Sequence, residues 1–551
     1  MVDLKKFSAL LIGLVFFLSL SLLQAQQPAG IPSEQPKLIL GIVFDQLRPD
    51  QVQKYWDKYG EDGFKKLMNN GTIVKSASYS YFNTAEASGY TTITTGTQPS
   101  GHGIVAHSWF EILNEKLVFC TDDPSVQPVG GSFENGPFSP SKMMVSGFAD
   151  ELKFSNQLQS KVFSIGLNYE SSILSGGHSA DAAYWFDDKS GNWMTSSYYL
   201  DSLPDWLNEF NEKKFADIYL ERSWEPLYQA ENYTIPPPEL LKNDKNFHGK
   251  TNLPYDLDKL SKKGRNERDY SILKFTPFGN TLIVDMAVQL MVDEGLGKDT
   301  FTDYLAINFS TFGPVANTFG QESMEMEEVM VRMDLQLSHL LQSVENMLGK
   351  ENVLVFMTSS RGMPKESTYF DELKLPVGLF KRNQALSLLK SYLNVKYGTG
   401  NWVRGFFGNQ IYFNRLLVED AGIPLDEIRD NVVNFMVQFT GVAHAITAST
   451  LYSAHFENNL FALVQNGYNP KRSGDVMVVL GPGWKMDDEG ILGSGYNYDR
   501  KVPLVWYGWK IGKNVVYKNV DMADIAPTIS LLLNIPLPDA SFGKPIMELV
   551  E

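Results

Sequence analysis

The chain has 551 residues, 43% hydrophobic and 20% charged, with Lys+Arg 48 against Asp+Glu 64 and a formal net charge of −16. This composition excludes a disordered, collagen-like or coiled-coil protein, and the acidic balance excludes a sequence-independent nucleic-acid binder, which needs a basic face. The one cysteine, Cys120, rules out an intramolecular disulfide and cysteine-rich zinc modules.

Lys5 and Lys6 precede an apolar run from Phe7 to Leu23, and Leu23-Gln24-Ala25 reads as a small-residue cleavage site. Residues 1–25 are therefore expected to be a signal peptide. No cysteine follows the run, so a lipoprotein anchor is not expected. No later stretch approaches the ~20 apolar residues that span a bilayer. The expected mature protein is exported to the periplasm or cell surface, soluble or peripheral, without a transmembrane segment. Its single cysteine suits an oxidising compartment.

Residues 26–37 are Pro/Gln-rich and read as a linker. Leu38 to Phe44 is a continuous apolar run ending in Asp45, the pattern of a strand buried on both faces. Similar runs recur at Tyr304–Phe309, Val353–Met357, Val476–Leu480 and Val502–Trp506. Between them Ser323–Leu341 places Met326, Val329, Met330, Met333, Leu337, Leu340 and Leu341 on one helical face. Buried strands alternating with amphipathic helices predict an α/β fold over 38–551, a largely parallel central sheet sandwiched by helices. Ligands in such sheets sit beyond the carboxyl ends of the strands. Here those ends are Asp45, Ser310, Thr358 and the loop before Val502. The stretch from about 190 to 270 is rich in Trp, Tyr, Asn, Lys and Pro and reads as an inserted cap. Its Trp193, Tyr198, Tyr199, Trp206 and Trp224 are candidates for a partner-binding surface, since aromatic residues are enriched at interface cores.

A set of short segments follows in fixed order. It comprises Val43–Arg48, Tyr90–Gly103, Gly177–Trp185, Thr276–Asn280, Val353–Gly362, Gly467–Leu480, Tyr496–Pro503 and Asp524–Thr528. Together they resemble the alkaline phosphatase superfamily, in particular its periplasmic threonine-nucleophile phosphatases and the nucleotide pyrophosphatases/phosphodiesterases. The resemblance implies two zinc ions about 4 Å apart that clamp the attacking and leaving oxygens. It also implies Asp/His ligands for each ion and a threonine nucleophile between them.

Carried over position by position, most of that chemistry is absent. Asp45 matches the first-strand ligand. The nucleophile motif reads Thr84-Ala-Glu-Ala-Ser-Gly-Tyr90, which puts Glu86 at the threonine. The next ligand pair falls on Gly313 and Asn317, the following pair on Ser360 and Arg361, and the last histidine on Leu492. The asparagine expected to bind phosphate is His107. The expected lysine and arginine are Asn168 and Glu170, the second a reversal of charge. An acidic group there repels a phosphate dianion instead of clamping it. The expectation is a catalytically inactive relative with no metal, serving as an exported binding or scaffold component. Its partners would be unidentified envelope proteins, met through the aromatic-rich insertion. The alternatives are a metal-dependent phosphate or sulfate ester hydrolase with a rebuilt site and a small-ligand binder. In the emptied site Arg361 is expected to stand in for the ion, within hydrogen-bonding distance of Asp45 or Glu86.

Overall fold

A computed structural model describes residues 34–234, 247, 249, 253–264, 267–364, 373–486 and 493–550. The expected signal peptide, the start of the linker and Leu492 lie outside the described residues.

Ten strands form the central sheet: β1 Leu38–Phe44, β2 Thr72–Ser78, β3 Pro128–Val129, β4 Val162–Gly166, β5 Ala182–Phe186, β6 Trp193–Ser196, β7 Asp303–Phe309, β8 Val353–Ser359, β9 Lys501–Gly508 and β10 Asn514–Asp521. Their spatial order is β10-β2-β9-β8-β1-β7-β4-β5-β6-β3. The middle of the sheet, β8-β1-β7-β4-β5, is wholly parallel. Alternate β1 side chains enter opposite layers: Leu38, Leu40, Ile42 and Phe44 join one buried cluster, Ile39 and Val43 another. Both faces are thus covered, which is why the strand shows no polar alternation. Each such side chain contributes about 1.5–3 kcal/mol on burial.

Four helices position the site: α1 Glu86–Thr95, α2 Tyr169–Gly176, α3 Phe312–Phe319 and α4 Met324–Leu348. The apolar face predicted for α4 is buried throughout. Ser323 caps that helix, its side-chain oxygen accepting the Met326 N–H at 3.1 Å.

The structure departs from the sequence reading in three places. Val476–Leu480 is not in the central sheet. It pairs with Gln410–Phe413 and Val442–Thr447 in a separate antiparallel sheet that also holds Val403–Phe407. The reason is legible in its packing: Val476 and Val478 face one buried cluster, Met477 and Val479 another. A strand buried on both faces reads the same in either kind of sheet. Second, β9, which contains the Val502–Trp506 run, lies antiparallel to both neighbours. Third, the aromatic residues between 190 and 270 are largely core. Trp193 belongs to β6, and both it and Trp224 are buried in the same cluster as β1. Tyr198 alone of the five is exposed. The helices Asp205–Glu212 and Phe215–Leu220 anchor the segment there through Leu207, Phe210 and Leu220.

Candidate functional site

Strands β1, β7 and β8 end side by side, with Phe44 opposite both Phe309 and Ser359. Just beyond these ends lies a cavity of about 360 Å3. Its lining includes Glu86, His107, Glu170, Asn317 and Arg361. Five of the residues expected at one site, spread from position 86 to position 361, thus share one lining. The far wall comes from the antiparallel sheet, through Phe407, Gly408 and Gln410.

Asp45, almost wholly buried at the end of β1, lies behind the cavity lining, to which its neighbour Gln46 belongs. Its Oδ1 accepts the N–H groups of Gln46 (3.0 Å) and Phe312 (3.2 Å), and its Oδ2 accepts that of Gly313 (2.9 Å). Phe312 and Gly313 open α3, so the carboxylate sits at the electropositive end of that helix. Burial first, and then the charge of Glu86, push the Asp45 carboxyl well above its usual range, against the three amide bonds. Gly313 is the close-approach position: a Cβ there would meet Gln46 Nε2 at 2.5 Å and Asp45 Oδ2 at 3.0 Å.

Glu86 is the first residue of α1. Gln46 Nε2 donates to its Oε1 at 2.7 Å. Burial raises its pKa, while the Arg361 charge and the Gln46 hydrogen bond act in the opposite direction. Arg361 is buried, and its Nη1 donates to the Thr84 carbonyl at 3.4 Å. The expected hydrogen bond to Glu86 is thus supplied by Gln46, because the guanidinium is drawn to the backbone before α1. Arg361 acts on Glu86 by charge instead, and likewise on buried Asp499, whose pKa burial raises. Ser360 turns away from the cavity to donate its hydroxyl to the Asp45 carbonyl at 2.7 Å.

On the wall, His107 Nδ1 pairs with Glu170 Oε1. Burial alone would lower the imidazole pKa, yet Glu170, and behind it Glu86, turn the balance upward. The Cys120 thiol donates to the same Glu170 oxygen at 3.2 Å. Asn168 caps α2 two residues earlier, and its carbonyl accepts from the Ser171 hydroxyl at 2.8 Å. Exposed Asn317 lies on α3 at the rim.

These donors do not fit the two-zinc centre that the resemblance implies. Gly313 offers no side chain, Arg361 is a permanent cation with no acceptor, and the Ser360 hydroxyl is already donating. Asp45 spends both oxygens on backbone amides. Sequence reasoning missed Gln46, Cys120, Asp499 and the Phe407–Gln410 wall. Gln46 and Asp499 lie within the motif segments Val43–Arg48 and Tyr496–Pro503 and were open to notice; Cys120 and the wall carry no local signal.

The model of the type I phosphodiesterase/nucleotide pyrophosphatase family matches residues 39–491. The chain is 33% identical over 526 residues to a protein of Myroides odoratus named calcium-transporting ATPase, covering 94% of this chain and 95% of the relative. It is 32% identical over 533 residues to alkaline phosphatase PafA of Elizabethkingia meningoseptica, covering 96% of this chain and 97% of the relative. A crystal structure of a PafA variant matches with a TM-score of 0.88 at 33% identity, covering 94% of this chain and 99% of that one. Among the described residues, no helix is long and apolar enough to cross a membrane. With its parallel sheet, its strand-end cavity and these full-length likenesses, the chain belongs to the type I phosphodiesterase/nucleotide pyrophosphatase family of the alkaline phosphatase superfamily.

Proposed function

We propose that this family member is catalytically inactive toward phosphoric esters and serves as an exported binding or scaffold component of the cell envelope. One observation carries the reading. At the end of β1, beside the cavity, the surviving Asp45 is held by three backbone N–H groups, while Gly313, Ser360 and Arg361 stand where further ligands are needed. With Glu86 at the nucleophile position and Glu170, paired with His107, replacing a phosphate-binding cation, the groups that would attack and clamp a phosphate are also missing. The cavity persists with both charged and apolar lining residues, and a fold kept without its chemistry can serve recognition. Export rests on the N-terminal Lys5-Lys6 and Phe7–Leu23 pattern. With Trp193 and Trp224 in the core, partner contacts within 190–270 fall to exposed residues such as Tyr198.

A rebuilt ester hydrolase is the second reading, favoured by full-length likeness to an alkaline phosphatase. An aryl phosphate monoester and a phosphodiester, each assayed with and without added zinc, separate the two. We expect background rates in both, with co-purification of envelope proteins on the full chain. Zinc-dependent turnover abolished by Glu86→Gln would overturn the proposal.

A further inference from the structure

His107, Cys120 and Glu170 each offer one donor atom, and these three atoms lie within 4.8 Å of one another. We propose that they form a mononuclear site for a divalent cation of the zinc type, on the cavity wall and separate from the strand ends where the family's ions belong.

The placement of the donors is built in by the backbone. A hairpin runs through Ser108–Glu111 and Lys116–Phe119, with Ser108 opposite Phe119. His107 and Cys120 are the next pair outward, tied by the Cys120 N–H donating to the His107 carbonyl at 2.9 Å. Cross-strand neighbours hold their Cβ atoms about 4.5–5.5 Å apart. That separation lets an imidazole and a thiol reach one ion. The Phe119 ring meets the imidazole edge-on at 5.2 Å and limits its swing. Glu170 arrives from the first turn of α2.

The donor chemistry suits the ion. Zinc takes Cys sulfur at about 2.3 Å, His nitrogen at about 2.0–2.1 Å and carboxylate oxygen at about 2.0–2.2 Å, and open sites use three protein ligands. Glu170 already touches both partners, so only a small opening of the cluster admits the ion. The loaded charges balance: the 2+ ion takes the thiolate, the neutral imidazole and the carboxylate, the thiol proton and any imidazole proton leave to solvent, and the cluster sums to zero. Burial, and then Glu170 and Asp122, hold the Cys120 thiol well above its usual range, with Lys142 acting the other way, so the ion has to displace the thiol proton. Cys120 is fully buried, while the His107 side chain is 51% exposed. The ion therefore enters from the cavity, and its fourth position faces the cavity.

The test uses the full chain, stripped with chelator and titrated with zinc alone by calorimetry, then with cobalt(II) alone by absorption. One ion per chain is expected, with a thiolate-to-cobalt charge-transfer band. His107→Gln and Cys120→Ala should each weaken binding by more than the ~10–100-fold typical of losing an outer partner. Asn317→Ala, at a former ligand position, should leave affinity unchanged. His107 is half exposed, so His107→Gln carries the test even if Cys120→Ala misfolds. Absence of stoichiometric binding, binding indifferent to His107→Gln, or loss of binding in Asn317→Ala would each overturn the site.

Discussion

Replacing Arg361 with methionine removes a buried positive charge while keeping much of the side-chain volume. Glu86 and Asp499 both lose a countercharge, since the guanidinium lowers the pKa of each. Leaving a buried charge without its partner typically costs about 3–5 kcal/mol. Unfolding entropy of about 2.1 cal/mol/K per residue gives a chain of this length roughly 1.2 kcal/mol/K, so the melting temperature should fall by about 3–4 °C. The loss should depend on pH. Both carboxyls have folded-state pKa values raised above their unfolded ones, mainly by burial. Such groups weaken the fold as pH rises through the folded values. Arg361→Met raises those values further, so the deficit is full above them and shrinks as the pH falls and the carboxyls take up protons. Differential scanning calorimetry of both proteins from pH 8 down to the acid limb of unfolding reads this directly. A deficit below about 1 °C at pH 8, or one that never shrinks as the pH falls, would refute the countercharge role.

Glu86→Thr alone should restore no zinc-dependent ester hydrolysis, because Gly313 and Arg361 still supply no ligand; turnover above background in that variant would show the donor argument to be wrong. His102 is buried with a pKa lowered to about 3, chiefly by burial; its Nδ1 accepts the Ile104 N–H at 3.1 Å and its Nε2 lies 3.1 Å from Thr92 Oγ1. A base with a depressed folded value contributes stability above its unfolded pKa near 6.5 that is lost as pH falls, up to about 5 kcal/mol by pH 3; His102→Gln should make the acid limb of the stability curve shallower, and an unchanged limb counts against this. Gly89→Ala should cost more than about 4 kcal/mol, since a Cβ would lie 1.7 Å from the Ser360 carbonyl oxygen, a backbone atom that cannot step aside; soluble yield and melting within 1 °C of the parent would contradict the clash.

Much of the site was legible because it depends on strand ends and ordered motifs. Asp45 is found from the apolar run it terminates, Arg361 from the motif Thr358–Gly362 that follows one, and Glu86 by counting from Thr95 and Gly96. The partners of those residues were not. Gln46 reaches Glu86 across 40 positions, and no periodicity encodes that contact. Cys120 meets His107 through hairpin register and Glu170 through packing of α2, both set by tertiary structure. The antiparallel sheet escaped for a related reason. With both faces of Val476–Leu480 covered, its composition is that of β1, and only the pairing distinguishes them.

The engagement of Asp45 with the opening amides of α3 changes how any substitution there must be interpreted. This side chain couples the end of the first strand to the start of the helix behind it. An assay that records a defect in an Asp45 variant would report a loosened joint between two scaffold elements. In this chain the acidic residue at the end of the first strand has the duties of a fastener, whatever else it does.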